Sequence, residues 1–338
     1  MKPIRVGVIG VGMMGERHGR VYSNLRDTEL IGVFDNNPGR GRAVADRYET
    51  RYFESPTALL GEVDAVTIAT PTPYHFELAM QALAAGVHTL VEKPLAYTLD
   101  EAEKLVAAAR SSGLVVQVGH IERFNPAYIE LKNVADDLPL VAITIRRQNS
   151  YDASNKDVDV INDLMIHDID LLLDLVGQPV EGVTACGRSL VGGAIDHAVA
   201  NFSFRDGPIA TLIASRITQD KVRTFDLTAR NAYVEGDLLS KSIAVHRRVF
   251  SEFISAKYRQ ESVIERLHIP VAEPLLLELQ HFIGCIQDQR QPDVSVEHGL
   301  RAMKYAAQIA ESVRSMNQPY AGSLVNPLAK NGETNLSV

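Results

Sequence analysis

An apolar run, Ile4–Ile9, leads directly into Gly10-Val11-Gly12-Met13-Met14-Gly15. A buried strand feeding a glycine-spaced turn and then a helix constrains this chain more than any other feature. Each glycine answers a separate steric demand. Gly10 permits the tight turn, Gly12 lets a pyrophosphate approach the backbone, and Gly15 lets helix and strand pack closely. Free N–H groups and the dipole at the helix start favour phosphate, so Met13 and Met14 fall among the candidate cofactor contacts. A glycine pattern alone is weak evidence. Here a second apolar strand at 30–34 ends at Asp35, where a ribose-binding acid belongs. The expected cofactor is NAD, because a carboxylate repels a 2′-phosphate; Arg40 and Arg42 leave NADP open.

The first 120 residues repeat this alternation. Strands are predicted at 4–9, 30–34, 65–69, 87–91 and 115–118, and helices at 13–25, 36–48, 73–85 and 98–110. Asp100 and Glu101 sit favourably in the first turn of the last helix. Such a pattern makes βαβ units and a parallel sheet. After about residue 122 it changes: a strand at 140–147, a polar loop at 149–159 and a helix at 161–176. A strand-rich stretch follows at 180–249, with turns at Gly192-Gly193, Asp206-Gly207 and Glu235-Gly236-Asp237. Two helices, 272–288 and 296–316, close the chain, the last with an apolar stripe of Leu300, Met303, Ala307 and Ala310.

The fold class is therefore α/β. A Rossmann dinucleotide-binding domain spans 1–122. An α+β domain with a large, mostly antiparallel open sheet spans 123–320, and a polar tail 321–338. Three helices cannot cover both faces of such a sheet, so a homodimer or homotetramer is expected.

Composition narrows the partners. A net charge of −8 over 338 residues argues against a nucleic-acid binder. Cys186 and Cys285 lack metal-ligand spacing and read as reduced, buried thiols, and no metal is expected. No apolar run is long enough for a bilayer, and the N-terminal residues do not resemble a signal peptide. The expected setting is the cytoplasm, without a membrane partner.

Two further segments carry chemistry. Glu92-Lys93-Pro94 closes the strand at 87–91, which puts a lysine at the sheet edge where ligands bind and makes Glu92 and Lys93 candidate cofactor contacts. Thr70-Pro71 and His75 follow the strand at 65–69 and should line the same crevice; His75 either touches the cofactor or packs the following helix. In the helix at 161–176, Asp163 and His167 are four apart and share a face, with Asp170 placed on the same side. A carboxylate one turn from a histidine can orient the imidazole for proton transfer.

These motifs together resemble the Gfo/Idh/MocA oxidoreductases. The resemblance rests on Gly10-x-Gly12-x-x-Gly15, Thr70-Pro71 with His75, Glu92-Lys93-Pro94, Asp163-x-x-x-His167 with Asp170, and Gly299-Leu300-Arg301-Ala302. It implies hydride transfer between a sugar-like secondary alcohol and a nicotinamide, with Lys93, His167 and Asp163 at the reacting hydroxyl. His167 is the natural general base and Lys93 the group that stabilises alkoxide. The roles exchange if burial and cofactor charge lower the lysine pKa. The segments Gly119-His120-Ile121-Glu122-Arg123-Phe124-Asn125-Pro126 and 157–163 are similar to the branch that oxidises UDP-N-acetylglucosamine at C3. Many relatives place a glycine pair before the catalytic aspartate. Asp159-Val160-Ile161-Asn162 stands here instead, which weakens an inositol dehydrogenase reading; a free-sugar or inositol-type dehydrogenase and a non-catalytic NAD-binding regulator are the alternatives. Arg123, Asn125, Arg146 and Arg147 are candidate substrate contacts, since arginine can grip a pyrophosphate bidentately.

Overall fold

The computed structural model describes residues 2–152, 157–190, 193–254 and 257–316, with backbone alone at 248–261. Gly192 of the expected turn and the polar tail at 321–338 lie outside the described residues.

The N-terminal part alternates as its sequence requires: β1 (Ile4–Ile9), α1 (Met13–Tyr22), β2 (Thr28–Phe34), α2 (Pro38–Arg47), β3 (Arg51–Tyr52), α3 (Pro56–Leu60), β4 (Ala65–Ile68), α4 (His75–Ala84), β5 (His88–Glu92), α5 (Leu99–Ser112) and β6 (Val116–Gly119). All six strands pair in parallel in the order β3-β2-β1-β4-β5-β6. Successive strands first step outward from β1 and then restart on its other side at β4. That reversal opens a crevice at the carboxyl ends of β1 and β4. Every residue of β4 is buried, as a strand covered on both faces demands. Polar side chains fix the helix starts: Asn37 caps α2, Ser55 caps α3, and Thr98 with Glu101 forms a capping box on α5. Each such cap contributes about 1 kcal/mol. The short β3 and α3 carry too few residues for a periodic signal, and sequence reading passed over them.

The second part contains α6 (Pro126–Asp136), β7 (Leu140–Gln148), a π-helical turn (Ile161–Met165) running into α7 (Ile166–Val176), β8 (Val180–Arg188), β9 (His197–Phe204), β10 (Ile209–Ser215), β11 (Val222–Ala229), β12 (Ala232–Asp237), β13 (Ser242–Ile254), β14 (Lys257–Arg266), α8 (Pro274–Gln287) and α9 (Val296–Met316). Its eight strands run β14-β13-β12-β11-β7-β10-β9-β8, antiparallel except where β10 meets β7. Alternation sorts the side chains. Ile143, Ile145, Leu212, Phe225 and Leu227 are buried on the face toward the helices, whereas Arg146, Ile209 and Tyr233 are exposed on the other.

Three expectations need correction. Residue 122 does not divide the packing in two: α8 returns to the Rossmann sheet, where Leu275, Leu279, Phe282 and Ile283 share a core with Val6, Val8 and Tyr22. Val118 of β6 also donates to the carbonyl of Val294, just before α9. The buried stripe of α9 runs through Gly299, Ala302, Met303, Ala306, Ile309 and Ala310, with Ala307 exposed; Leu300 packs at its margin. Cys186 is exposed; Cys285 is buried, and burial pushes its thiol up to about 11, so it is inert.

Candidate active site

The glycine turn has the shape a dinucleotide needs. Gly10 has φ +83°, and a Cβ there would lie 2.7 Å from the Thr70 side chain and 2.8 Å from its backbone nitrogen. A Cβ on Gly15 would lie 1.8 Å from the Gly10 carbonyl oxygen. Gly12, at the start of α1, faces open space, so its backbone is free to meet a phosphate. Beside it lies a cavity of about 670 Å³ lined by Gly10, Gly12, Asp35, Thr70 and Pro71. Met13 is exposed at the helix start, and Met14 is half-buried behind it. These residues fit a nicotinamide dinucleotide.

Asp35 is buried at the end of β2. It accepts from the backbone of Val11 (2.9 Å) and Asn37 (2.8 Å), and from Arg40 Nε and Nη2 (3.0 and 2.8 Å). Burial opposes its charge, but Arg40 and the two N–H groups hold the carboxyl below its ordinary range. Arg42 pairs with Glu54 at 2.6 Å and lies over the Tyr52 ring.

His75 belongs to the packing side of its two expected roles. It is buried, with Nδ1 2.8 Å from the Pro94 carbonyl and Nε2 2.8 Å from the Thr70 carbonyl. Lying between these two carbonyls, the ring joins the loop after β4 to the loop after β5. Glu92 is likewise turned inward. Its Oε1 meets His18 Nε2 at 2.9 Å, and its Oε2 accepts the Lys93 backbone N–H at 3.2 Å. The carboxylate therefore anchors the strand end and does not face the cofactor cavity.

Lys93, Asp163 and His167 come together, although two lie on a different part of the chain from the third. Lys93 Nζ donates to the Asp163 carbonyl at 2.9 Å and stands 3.6 Å from its Oδ1. Asp163 sits in the π-helical turn, a wider coil that recurs at functional sites. His167, one turn on in α7, is partly exposed, but its Nδ1 is buried. Its pKa lies well below 6.5, first through burial and then through the positive charge of Lys93, Arg147 and Arg223. The ring is therefore a neutral imidazole at neutral pH, able to accept a proton.

Asp170 does not join this group. Fully buried, it accepts Arg123 Nε at 2.6 Å and Nη2 at 2.9 Å. Arg123 also pairs with Asp174, so its guanidinium is held by two carboxylates of α7. Asn125 caps α6 by accepting from Ala127 N and donates to Glu122 and the Leu238 carbonyl. Arg146 points to the outer face of the second sheet, beside Thr224 and Asp226, away from Lys93. Arg147, next along β7, points inward and is locked between Glu122 (2.8 Å) and Asp168 (2.7 Å). Burial raises Asp168 to about 6 despite that arginine.

The polar groups around Arg147 and His167, namely His120, Glu122, Asp168 and Arg223, and His18 beside Glu92, are not among the site residues singled out by sequence. His120 lies edge-on to His167 at 6.4 Å between ring centres and 4.0 Å from Asp170. Two signals were legible. Arg147 has the parity of Ile143 and Ile145, which assigns it to the inner face. His18 lies three residues after Gly15, on the helix face that must meet the sheet.

Residues 4–120 match the oxidoreductase family with an NAD-binding Rossmann fold, and 137–235 match the GFO/IDH/MocA C-terminal domain. The chain is 33% identical to a UDP-N-acetylglucosamine 3-dehydrogenase of Acidithiobacillus ferrooxidans, over 93% of this chain and 99% of that protein. It is 28% identical to a scyllo-inositol 2-dehydrogenase (NAD(+)) of Bacillus subtilis, over 86% and 89%. A solved structure of the A. ferrooxidans enzyme superposes with a TM-score of 0.84, again covering 93% and 99%. Myo-inositol 2-dehydrogenase from Lactobacillus plantarum shares the fold at TM-score 0.76 and 21% identity, covering 93% and 98%. The chain belongs to the GFO/IDH/MocA family and is an NAD(P)-dependent oxidoreductase acting on CH–OH donors.

Proposed function

We propose that the protein is an NAD-dependent dehydrogenase that oxidises the C3 hydroxyl of UDP-N-acetylglucosamine, or a closely related nucleotide sugar, to the 3-oxo sugar. The observation that carries this reading is the end-to-end likeness to a UDP-N-acetylglucosamine 3-dehydrogenase, which spans both domains. Oxidation removes a hydride from carbon and a proton from oxygen. NAD, held by the Gly10–Gly15 turn and Asp35, would supply the hydride acceptor when bound. His167, neutral through burial and its cationic neighbours, takes the hydroxyl proton. Lys93 donates to the same oxygen and stabilises the alkoxide as it forms, while Asp163 holds the Lys93 amine in place.

NAD is the favoured cofactor because Asp35 occupies the end of β2 and already holds Arg40 with two hydrogen bonds. A carboxylate at that position repels a 2′-phosphate, and Arg42 lies against Glu54. The outer face of the second sheet, with Ile209 and Tyr233 exposed, reads as a face between subunits of a homodimer or homotetramer. Light scattering on the purified protein checks this. Among the described residues no helix is long and apolar enough to cross a membrane.

A second reading, a free cyclitol dehydrogenase, draws on the inositol dehydrogenases among the relatives. Side-by-side turnover of UDP-N-acetylglucosamine and of inositols with NAD separates the two. Oxidation of inositols without oxidation of the nucleotide sugar overturns the first reading.

A further inference from the structure

Beneath the carboxyl end of β5, three buried ionisable side chains converge from three elements: His18 of α1, Glu92 of β5 and Glu278 of α8. One polar atom of each lies within 4.8 Å of the other two. His18 and Glu92 meet at 2.9 Å, and Glu92 holds the backbone N–H of Lys93. Glu278 is 0% exposed, and neither of its carboxyl oxygens has a partner among the described residues. From β6, Gln117 Oε1 is buried and unpartnered as well. Tyr22, the other titratable group of α1 that senses Glu278, is hydrogen-bonded to Thr67.

Two carboxylates this close in an apolar core do not both ionise. Burial, and then the charge of Glu92, raises the pKa of Glu278 well above the ordinary carboxylate range. Burial opposes the charge of Glu92 too, but His18 and Lys93 outweigh it and hold that carboxyl below its ordinary range. The pair is thus divided into an anion above and a neutral acid below.

We propose that Glu278 is a positioning residue for the reaction: it keeps the one proton of the buried carboxyl pair, presents it toward Glu92, and so fixes the strand end that carries Lys93. This rests on the reading of Lys93 as the group that holds the reacting oxygen. The consequence is that α8, from the far end of the chain, sets the geometry of a residue on β5. A divalent cation bound by the same three residues is the competing arrangement. The His18–Glu92 contact argues against it, because those two atoms already share a proton that metal ligation would displace.

The test compares Glu278→Gln and Glu278→Leu in the full chain. Glutamine keeps the shape of a neutral acid and can donate to Glu92; leucine cannot. The readings are hydrogen–deuterium exchange of the Glu92–Lys93 backbone, NADH affinity, kcat and KM for the nucleotide sugar, and metal content. Glu278→Gln should match the parent in exchange and kcat. Glu278→Leu should exchange faster at Lys93 and lose ~10- to 100-fold in kcat, the scale of a misplacement of about 1 Å, with NADH affinity kept.

A pH series adds a second reading. The folded-state pKa of Glu278 is raised, so its proton contributes stability below the ordinary carboxylate range, and that stability is lost as pH rises through the raised value. Glu278→Gln should remove this loss. The proposal is overturned if Glu278→Gln is as impaired as Glu278→Leu, if neither differs from the parent in exchange, or if the parent carries stoichiometric metal that Glu278→Gln lacks. Should the parent fail to oxidise the nucleotide sugar, the functional reading falls; exchange and pH-stability still judge the proton arrangement.

Discussion

Alanine at Gly12 and at Gly15 should separate cofactor binding from folding within a single turn. At Gly15 the new Cβ would sit 1.8 Å from the Gly10 carbonyl oxygen, where real contacts stop near 3.0 Å. The neighbour is backbone and cannot swing aside. Nor can Gly10 retreat, since its own position is crowded by Thr70 and Ala69. The turn must open by about 1.2 Å, and overpacking of this kind costs about 1–3 kcal/mol or more. Gly15→Ala should therefore lower the unfolding midpoint by several degrees and abolish tight NADH binding. At Gly12 no atom lies within 4 Å of the new Cβ, and φ is −66°. The cost to folding is limited to a poorer helix start, about 0.5–1 kcal/mol. The methyl group would nonetheless enter the space a pyrophosphate needs, weakening NADH by at least ~10-fold, or about 1.4 kcal/mol. Differential scanning fluorimetry and NADH fluorescence titration on both variants make the comparison. A folded Gly12→Ala protein with parental NADH affinity would refute the placement of the phosphates; a Gly15→Ala protein of parental stability would refute the packing argument.

Lys93→Met should lower kcat by ~10²- to 10³-fold, as loss of an oxyanion donor does, while NADH titration shows binding intact. His167 must be neutral to accept the proton and its pKa is lowered, so the acid limb of kcat/KM should fall well below pH 6.5; a limb at or above 6.5 contradicts its assignment as base. Arg123→Met should leave Asp170 buried without its partner and cost about 3–5 kcal/mol in urea unfolding, whereas a change confined to KM would restore the substrate-contact role expected from sequence.

The sequence made the Rossmann half legible because its strands are covered on both faces and read as short apolar runs between helices. The glycine turn and Asp35 then located the cofactor crevice. Lys93 was legible as a strand-end position and Asp163 with His167 as one helix face; the expectation that the three share a site came from the family resemblance. What stayed hidden depends on pairs distant in sequence. Arg123 read as a free cation because Asp170 and Asp174 reach it only through the packing of α7. Arg147 read as a strand-end charge until Glu122 and Asp168 enclosed it. Sequence position alone makes Glu92 a candidate cofactor contact and leaves His75 open between the cofactor and the helix, because a residue number does not say which way a side chain turns. The return of α8 to the first sheet was hidden for a related reason: an apolar helix face says that it is buried, not against what.

The most direct measurement is incubation of the purified protein with UDP-N-acetylglucosamine and NAD, with NADH followed by absorbance and the sugar nucleotide by mass spectrometry. NADH formation should be matched by a product two hydrogens lighter and oxidised at C3, with both signals lost in His167→Gln and Lys93→Met proteins that still bind NADH. NADH formation with inositols in place of the nucleotide sugar, or undiminished turnover in those two variants, would contradict the proposed function.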